Sequence, residues 1–252
     1  MRLTRLDDYQ SWLLEVGGRR IAIDPWLTHE LSLPPGHWLF GRRRDRVPIA
    51  KETIADVDAL LLTGPFSDHC DPQTLSVLPR ALPAFANAPA ARRLRRLGFT
   101  QVTTLRDRET AAPFEHVSIE GVQPGFPYRH NSLGYLISEP GARLYFETHT
   151  VDLRRHAARI IGVDVAVLPV QGVWLLGIPF VMSAERALEV TRAIAPRVVV
   201  PTGNDPHKAH GLMSRAMLWT RGSISDFATL LAQSGSTTTF SNPSPGESVT
   251  AA

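Results

Sequence analysis

A single cysteine, Cys70, stands among 252 residues. That excludes an intrachain disulfide, and without a Cys-x-x-Cys pair there is no thiolate cage for structural zinc. Residues 1–12 lack the apolar core of a secretory signal, so a cytoplasmic protein is expected. No apolar run is both long and unbroken. Residues 165–182 carry one strongly polar side chain, Gln171, but Pro169, Gly172, Gly177 and Pro179 interrupt any continuous helix. That segment reads as a buried strand followed by an apolar loop, and no membrane partner is expected. The formal net charge is only +3, too small to imply nucleic-acid binding, although abundant arginine lifts the pI to about 9.4 and suits an anionic ligand. A glycine-rich phosphate loop, a serine-nucleophile elbow and a dinucleotide fingerprint are also missing.

What is present is an ordinary globular composition, 43% hydrophobic and 20% charged, long enough for one large α/β domain or two small ones. Residues 11–16 and 20–23 flank Gly17-Gly18 as a hairpin. Residues 28–48, with Pro34-Pro35-Gly36, Trp38, Phe40 and the run Arg42-Arg43-Arg44, are long for a loop and predict a lid or binding segment. Further strands are predicted at 59–62, 101–105, 114–122, 133–137, 143–146, 165–168, 197–200 and 236–240. Helices are predicted at 72–78, 90–97, 151–160, 183–195, 211–218 and 223–233. From Ser241 the chain is rich in Ser, Pro, Gly and Thr and is expected to form a flexible tail, residues 241–252, beyond a domain of residues 1–240. Strands interleaved with surface helices fit a layered α/β architecture.

The most informative stretch is Leu60-Leu61-Leu62-Thr63-Gly64-Pro65-Phe66-Ser67-Asp68-His69-Cys70-Asp71. An apolar run ends in an Asp-His pair, and Pro72 then opens a short helix. The stretch resembles the metal-binding loop of the metallo-β-lactamase superfamily, in which a buried strand delivers His-x-His-x-Asp-His to a metal. Asp68 and His69 stand at the closing Asp-His. Gly64 and Phe66 stand at the two earlier histidines and have no side-chain lone pair to offer a metal. Ile21-Ala22-Ile23-Asp24-Pro25-Trp26-Leu27 is similar to the N-terminal strand and turn of the branch that includes phospholactonases and phospholipase-D-type phosphodiesterases. The hairpin at 134–137 and 144–146 resembles the one leading to the family's bridging aspartate, whose place His149 takes in Thr148-His149-Thr150. Gln123-Pro124-Gly125 and Thr202-Gly203-Asn204-Asp205 stand where two more ligand histidines are expected. The resemblance implies a four-layer αββα sandwich, with 63–71, 148–150 and 201–205 meeting at one edge under a roof made by 28–46 and 172–180.

On this resemblance Asp68, His69 and His149 make a set of two histidines and one carboxylate. That set suffices for one catalytic zinc, suits a ferrous ion as well, and otherwise persists with no metal at all. Asn204, His130 and Trp174 are the candidate substrate-binding residues; Asp71, before Pro72, reads as a helix cap. The arginine run reads as solvated surface that attracts anions. The dense apolar segment around Trp174 needs cover from a small-molecule substrate, the fold itself or a twin subunit in a homo-oligomer. Three functions follow: a hydrolase of an ester, lactone or phosphodiester with a rebuilt single-metal site; a metal-free binding protein; or an enzyme using its histidines for acid–base or iron chemistry.

Overall fold

Strand Ala59–Leu62 is buried at every position, as expected of a strand covered on both faces. It lies inside a seven-stranded sheet of order Ser248–Thr250, Arg2–Arg5, Trp12–Val16, Arg19–Ile23, Ala59–Leu62, Ala84–Ala86 and Val102–Thr104. Pairing in this sheet is antiparallel as far as Arg19–Ile23 and parallel beyond it. The second seven-stranded sheet runs Thr239–Phe240, Val198–Thr202, Val165–Pro169, Ala142–Phe146, Gly134–Glu139, Val117–Val122 and Thr110–Phe114. The computed structural model describes residues 1–32, 36–203, 208–216 and 218–251.

Alternation along the strands sorts side chains into three cores. Leu14, Ile21, Ile23, Leu61, Ile119, Tyr135, Phe146 and Val167 fill the space between the two sheets. Leu13, Ala22, Leu60 and Leu62 point the other way and pack on Leu75, Ala91 and Leu94, which belong to the short turn Thr74–Val77 and the helix Ala88–Arg96. The outer face of the second sheet meets helices Leu153–Ile160, Ala184–Ile194 and Ile224–Gln233 through Ile160, Ala187, Val190, Ile194 and Phe227. Ser183 caps the middle helix by accepting from Arg186 N. The result is the four-layer αββα sandwich.

The carboxyl ends of Arg19–Ile23, Ala59–Leu62, Ala142–Phe146, Val165–Pro169 and Val198–Thr202 share one edge, where open α/β sheets place their sites. The two sheets are stitched together there. Leu133 N donates to Thr63 O at 2.8 Å, the Tyr135 hydroxyl donates to Leu62 O at 2.7 Å, and Trp12 Nε1 donates to Thr202 Oγ1 at 3.1 Å. Two small three-stranded sheets roof the edge. One is Ile178–Val181, Gly172–Leu175 and Leu218–Arg221; the other is Lys208–His210, Gly41–Arg43 and Glu30–Ser32.

Several expectations change. The apolar loop after Val165–Pro169 is a hairpin, because the left-handed Leu176 and Gly177 permit a tight return. The helix expected over 72–78 is one 3-10 turn, and the one expected over 211–218 ends at Ala216, before a strand starting at Leu218. The tail is not free. Ser248–Thr250 pairs with Arg2–Arg5, placing Val249 opposite Leu3, because that edge needs partners and Val249 has an apolar neighbour to bury against. Asn204, Asp205 and His207 lie outside the described residues. Among the described residues no helix is long and apolar enough to cross a membrane.

Deleting residues 241–252 should therefore lower Tm by about 3–12 °C, since burying one valine contributes ~1.5–3 kcal/mol and each kcal/mol moves Tm about 2–4 °C at this size. An unchanged melting curve would show that the strand adds nothing.

Candidate functional site

Asp24 ends strand Arg19–Ile23 with φ 44°, a left-handed conformation that aspartate tolerates better than most side chains. The turn aims its fully buried carboxylate across to the neighbouring strand end. Oδ1 accepts from Thr63 N at 2.8 Å, and Oδ2 accepts from the Thr63 hydroxyl and lies 2.8 Å from His69 Nδ1. Burial pushes the His69 pKa down, but the charges of Asp24 and Asp68 more than offset this and raise it above the ordinary value. Asp68, also within the cluster, accepts from the Tyr9 hydroxyl at 3.2 Å and places Oδ1 3.8 Å from His69 Nε2.

His149 approaches from the other sheet. Its Nδ1 is 3.1 Å from Ser132 Oγ and 3.0 Å from Thr148 Oγ1. Its ring stacks on His69 with centroids 5.2 Å apart. Burial, reinforced by the neighbouring His69, pushes the His149 pKa well below the ordinary value, so this ring is neutral. The turn that carries it is held by Glu147, whose Oε1 accepts from Thr148 N at 2.9 Å and His149 N at 2.8 Å. Burial pushes the Glu147 carboxyl up to about 8, against those two bonds. Gly134 makes room for it, since a Cβ there would lie 2.6 Å from Glu147 Oε2.

These groups open on a cavity of about 400 Å³ whose lining includes Tyr9, Phe40, Arg42, Phe66, Asp68, His69, Tyr128, His149, Val173, Leu175 and Phe180. The walls are aromatic. Tyr128 sits on His149 with centroids 3.7 Å apart, and Phe180 meets Tyr128 edge-on at 5.6 Å. Phe66 contacts the rings of His69, His149 and Tyr128. Gly64 makes room for that ring: a Cβ on Gly64 would come within 3.2 Å of it. Both predicted roof segments reach the cavity, through Phe40 and Arg42 and through Val173, Leu175 and Phe180.

Asp68, His69 and His149 are thus brought together, while His130 and Trp174 are not part of the cavity. His130 is exposed; its loop contributes Tyr128 instead. Strand alternation turns Val173 and Leu175 inward and Trp174 outward, onto Trp219 at 4.5 Å between centroids. Asn204 lies outside the described residues. The arginine run is not solvated surface. Arg42 and Arg43 end the strand Gly41–Arg43, where Arg42 stacks over Tyr9 at 4.9 Å and Arg43 is exposed, and Arg44 just beyond it is buried on Trp26 and paired with Asp7 at 3.1 Å. Asp71 does cap its turn, accepting from Thr74 N at 3.0 Å. Burial pushes the Cys70 thiol up to about 12, and Cys70 is not among the residues that line the cavity. Asp24, Thr63, Ser132, Tyr128 and Glu147 were not singled out as site residues; the Asp-Pro-Trp turn was the one signal that pointed at any of them.

The donor chemistry fits a divalent metal. Each histidine has Nδ1 engaged, and among the described residues neither Nε2 has a hydrogen-bond partner. A carboxylate behind a ligand imidazole is the usual outer support of such a centre. The donor atoms of Asp68, His69 and His149 are not all within 4.8 Å of one another, a spacing that Glu30, His37 and His210 do meet. The partly exposed Asp68 side chain is the one free to close the set.

Glu147 generates a pH prediction for the metal-free protein. Its folded pKa of about 8 exceeds the ordinary 4.5, so the folded chain keeps a proton that the unfolded chain loses. The stability it contributes is complete below the lower value and disappears as pH rises through the higher one. Chelator-treated protein should melt lower at pH 9 than at pH 6, and Glu147→Gln should flatten that slope. An equal slope in the variant would reject the assignment.

Comparison with known proteins agrees with this architecture. Residues 4–203 match the Beta-lactamase superfamily domain. A UPF0173 metal-dependent hydrolase of Cupriavidus taiwanensis is 28% identical over 210 residues, spanning 73% of this chain and 68% of its own. The isothiocyanate hydrolase from Delia radicum gut bacteria superposes with TM-score 0.73 at 18% identity, over 99% of this chain and 98% of that one. CmlA, a diiron beta-hydroxylase from Streptomyces venezuelae, reaches TM-score 0.69 at 17% identity, over 98% of this chain and 54% of its own. With its sandwich, its edge cavity and that match, the chain belongs to the beta-lactamase superfamily and has the metallo-β-lactamase fold.

Proposed function

We propose that the protein is a metal-dependent hydrolase with a single-ion centre, acting on a small ester, lactone or phosphodiester that carries an anionic group. The observation that supports this best is that Asp68, His69 and His149 face one apolar cavity with both Nδ1 atoms already engaged. The relative from Cupriavidus, itself named a metal-dependent hydrolase, favours the same class. A divalent ion held by the three side chains supplies Lewis acidity and a bound water of lowered pKa. Asp24 fixes the His69 ring so that Nε2 faces the cavity, and Ser132 and Thr148 do the same for His149. Tyr9 steadies Asp68. Arg42, on the cavity wall, pairs with the substrate anion, and Phe66, Tyr128 and Phe180 exclude bulk water around it. Gly64, Phe66 and Gly125 offer no side-chain donors, so no second ion is expected within the cavity. Zinc suits this set, and so does a ferrous ion.

A second reading rests on the Asp24–His69 pair. A buried carboxylate that raises the pKa of an imidazole is also an acid–base device that works without metal.

Metal analysis of untagged protein, purified without chelator, separates the two. The hydrolase reading expects one equivalent of zinc or iron that depends on the cavity donors and is lost in His149→Ala, whatever metal is held elsewhere on the molecule. Because the His69 pKa is raised above its ordinary value, protons compete with the metal at higher pH than they would for a free imidazole, so affinity should fall as pH falls. If no metal is bound, and none binds on addition, the hydrolase reading fails. Arg42→Gln should raise KM about tenfold, equivalent to ~1.4 kcal/mol, for anionic esters but not for neutral ones. An equal change for both would remove Arg42 from substrate recognition.

A further inference from the structure

The roof carries a second group of metal-type donors that does not line the cavity. His37 Nδ1 lies 3.2 Å and His210 Nε2 3.5 Å from the same oxygen, Glu30 Oε1. One donor atom from each residue falls within 4.8 Å of the other two. We propose that Glu30, His37 and His210 form a site for a divalent transition metal, of the zinc or cobalt type, that staples the roof of the cavity.

Two imidazoles and a carboxylate are a donor set that zinc accepts with water completing the shell. The local backbone is arranged around it. His210 pairs across the sheet with Gly41, and a Cβ on Gly41 would lie 2.5 Å from His210 Nε2, so the imidazole occupies space that only glycine leaves open. Gly211, at φ 99°, lets the same strand press on the segment carrying His37, where Leu212 N donates to Trp38 O at 2.9 Å and Met213 N to Leu39 O at 2.9 Å. The His37 and His210 rings lie 9° from parallel with centroids 6.0 Å apart. An open cavity of about 550 Å³ borders Glu30 and His37 and admits water. Ion pairing gives little reason for this arrangement, because pairs this exposed contribute almost nothing to stability.

The consequence falls on substrate access. Glu30, His37 and His210 belong to three chain segments, and the sheet joining them carries Arg42 against Tyr9 and into the cavity wall. A metal on the outer side holds that wall closed. The site is independent of the cavity centre.

The test is a cobalt titration of untagged, chelator-treated full-length protein, read by visible absorption, with Asp68→Ala/His149→Ala as the background that removes the cavity donors. One equivalent should still bind in that background with d–d bands. Adding His37→Ala or His210→Ala should abolish the titration, while the bound metal should slow amide exchange over residues 36–44. No binding in that background, or binding unchanged by both lid variants, would overturn the proposal. Should the background variant fail to fold, cobalt-soaked wild-type crystals decide. An anomalous peak between Glu30, His37 and His210 supports the site, and its absence there refutes it.

Discussion

The buried carboxylate of Asp24 is the constraint on which the site depends. A charge at that depth is tolerable only when its lone pairs are filled. The groups that fill them are the Thr63 backbone, the Thr63 hydroxyl and His69. One side chain thereby fixes where strand Ala59–Leu62 ends, how the following loop departs and which face of His69 meets the cavity. The left-handed turn at Asp24 is the local strain that makes this reach possible.

Gly64 and Phe66 shape the cavity wall together. Phe66 has taken the volume between His69, His149 and Tyr128, and Gly64 leaves it that space. The result is an apolar wall beside the two imidazoles. That wall lowers the local dielectric around the surviving imidazoles and strengthens the electrostatic coupling between Asp24, His69 and His149.

The layers of the sandwich were legible because burial imposes a period of two on strands and an amphipathic stripe on helices; Ala59–Leu62 is found where its apolar run places it. Asp68, His69 and His149 were legible because they end such runs. Tyr128 and Ser132 were not, since they act on His149 from another segment of the chain; Glu147 was not, because nothing local separates a buried glutamate in a strand-end turn from a solvated one. His130 and Trp174 misled for a related reason. Each sits beside a residue that does face the cavity, and the direction of a side chain on a loop or a short roof strand is set by tertiary pairing. The segment after Ser241 has a disordered composition but a waiting edge to pair with, and the edge prevailed.

His69 stands on one large sheet and His149 on the other, so their spacing measures how the two sheets sit face to face. A residue deep between the layers, such as Leu14, Ile119 or Phe146, touches neither imidazole yet sets the separation of both. Close-packed layers settle into discrete alternatives and do not deform smoothly. Drift in this protein during evolution therefore has two routes to altered chemistry, one through the cavity lining and one through the apolar filling that gauges its width.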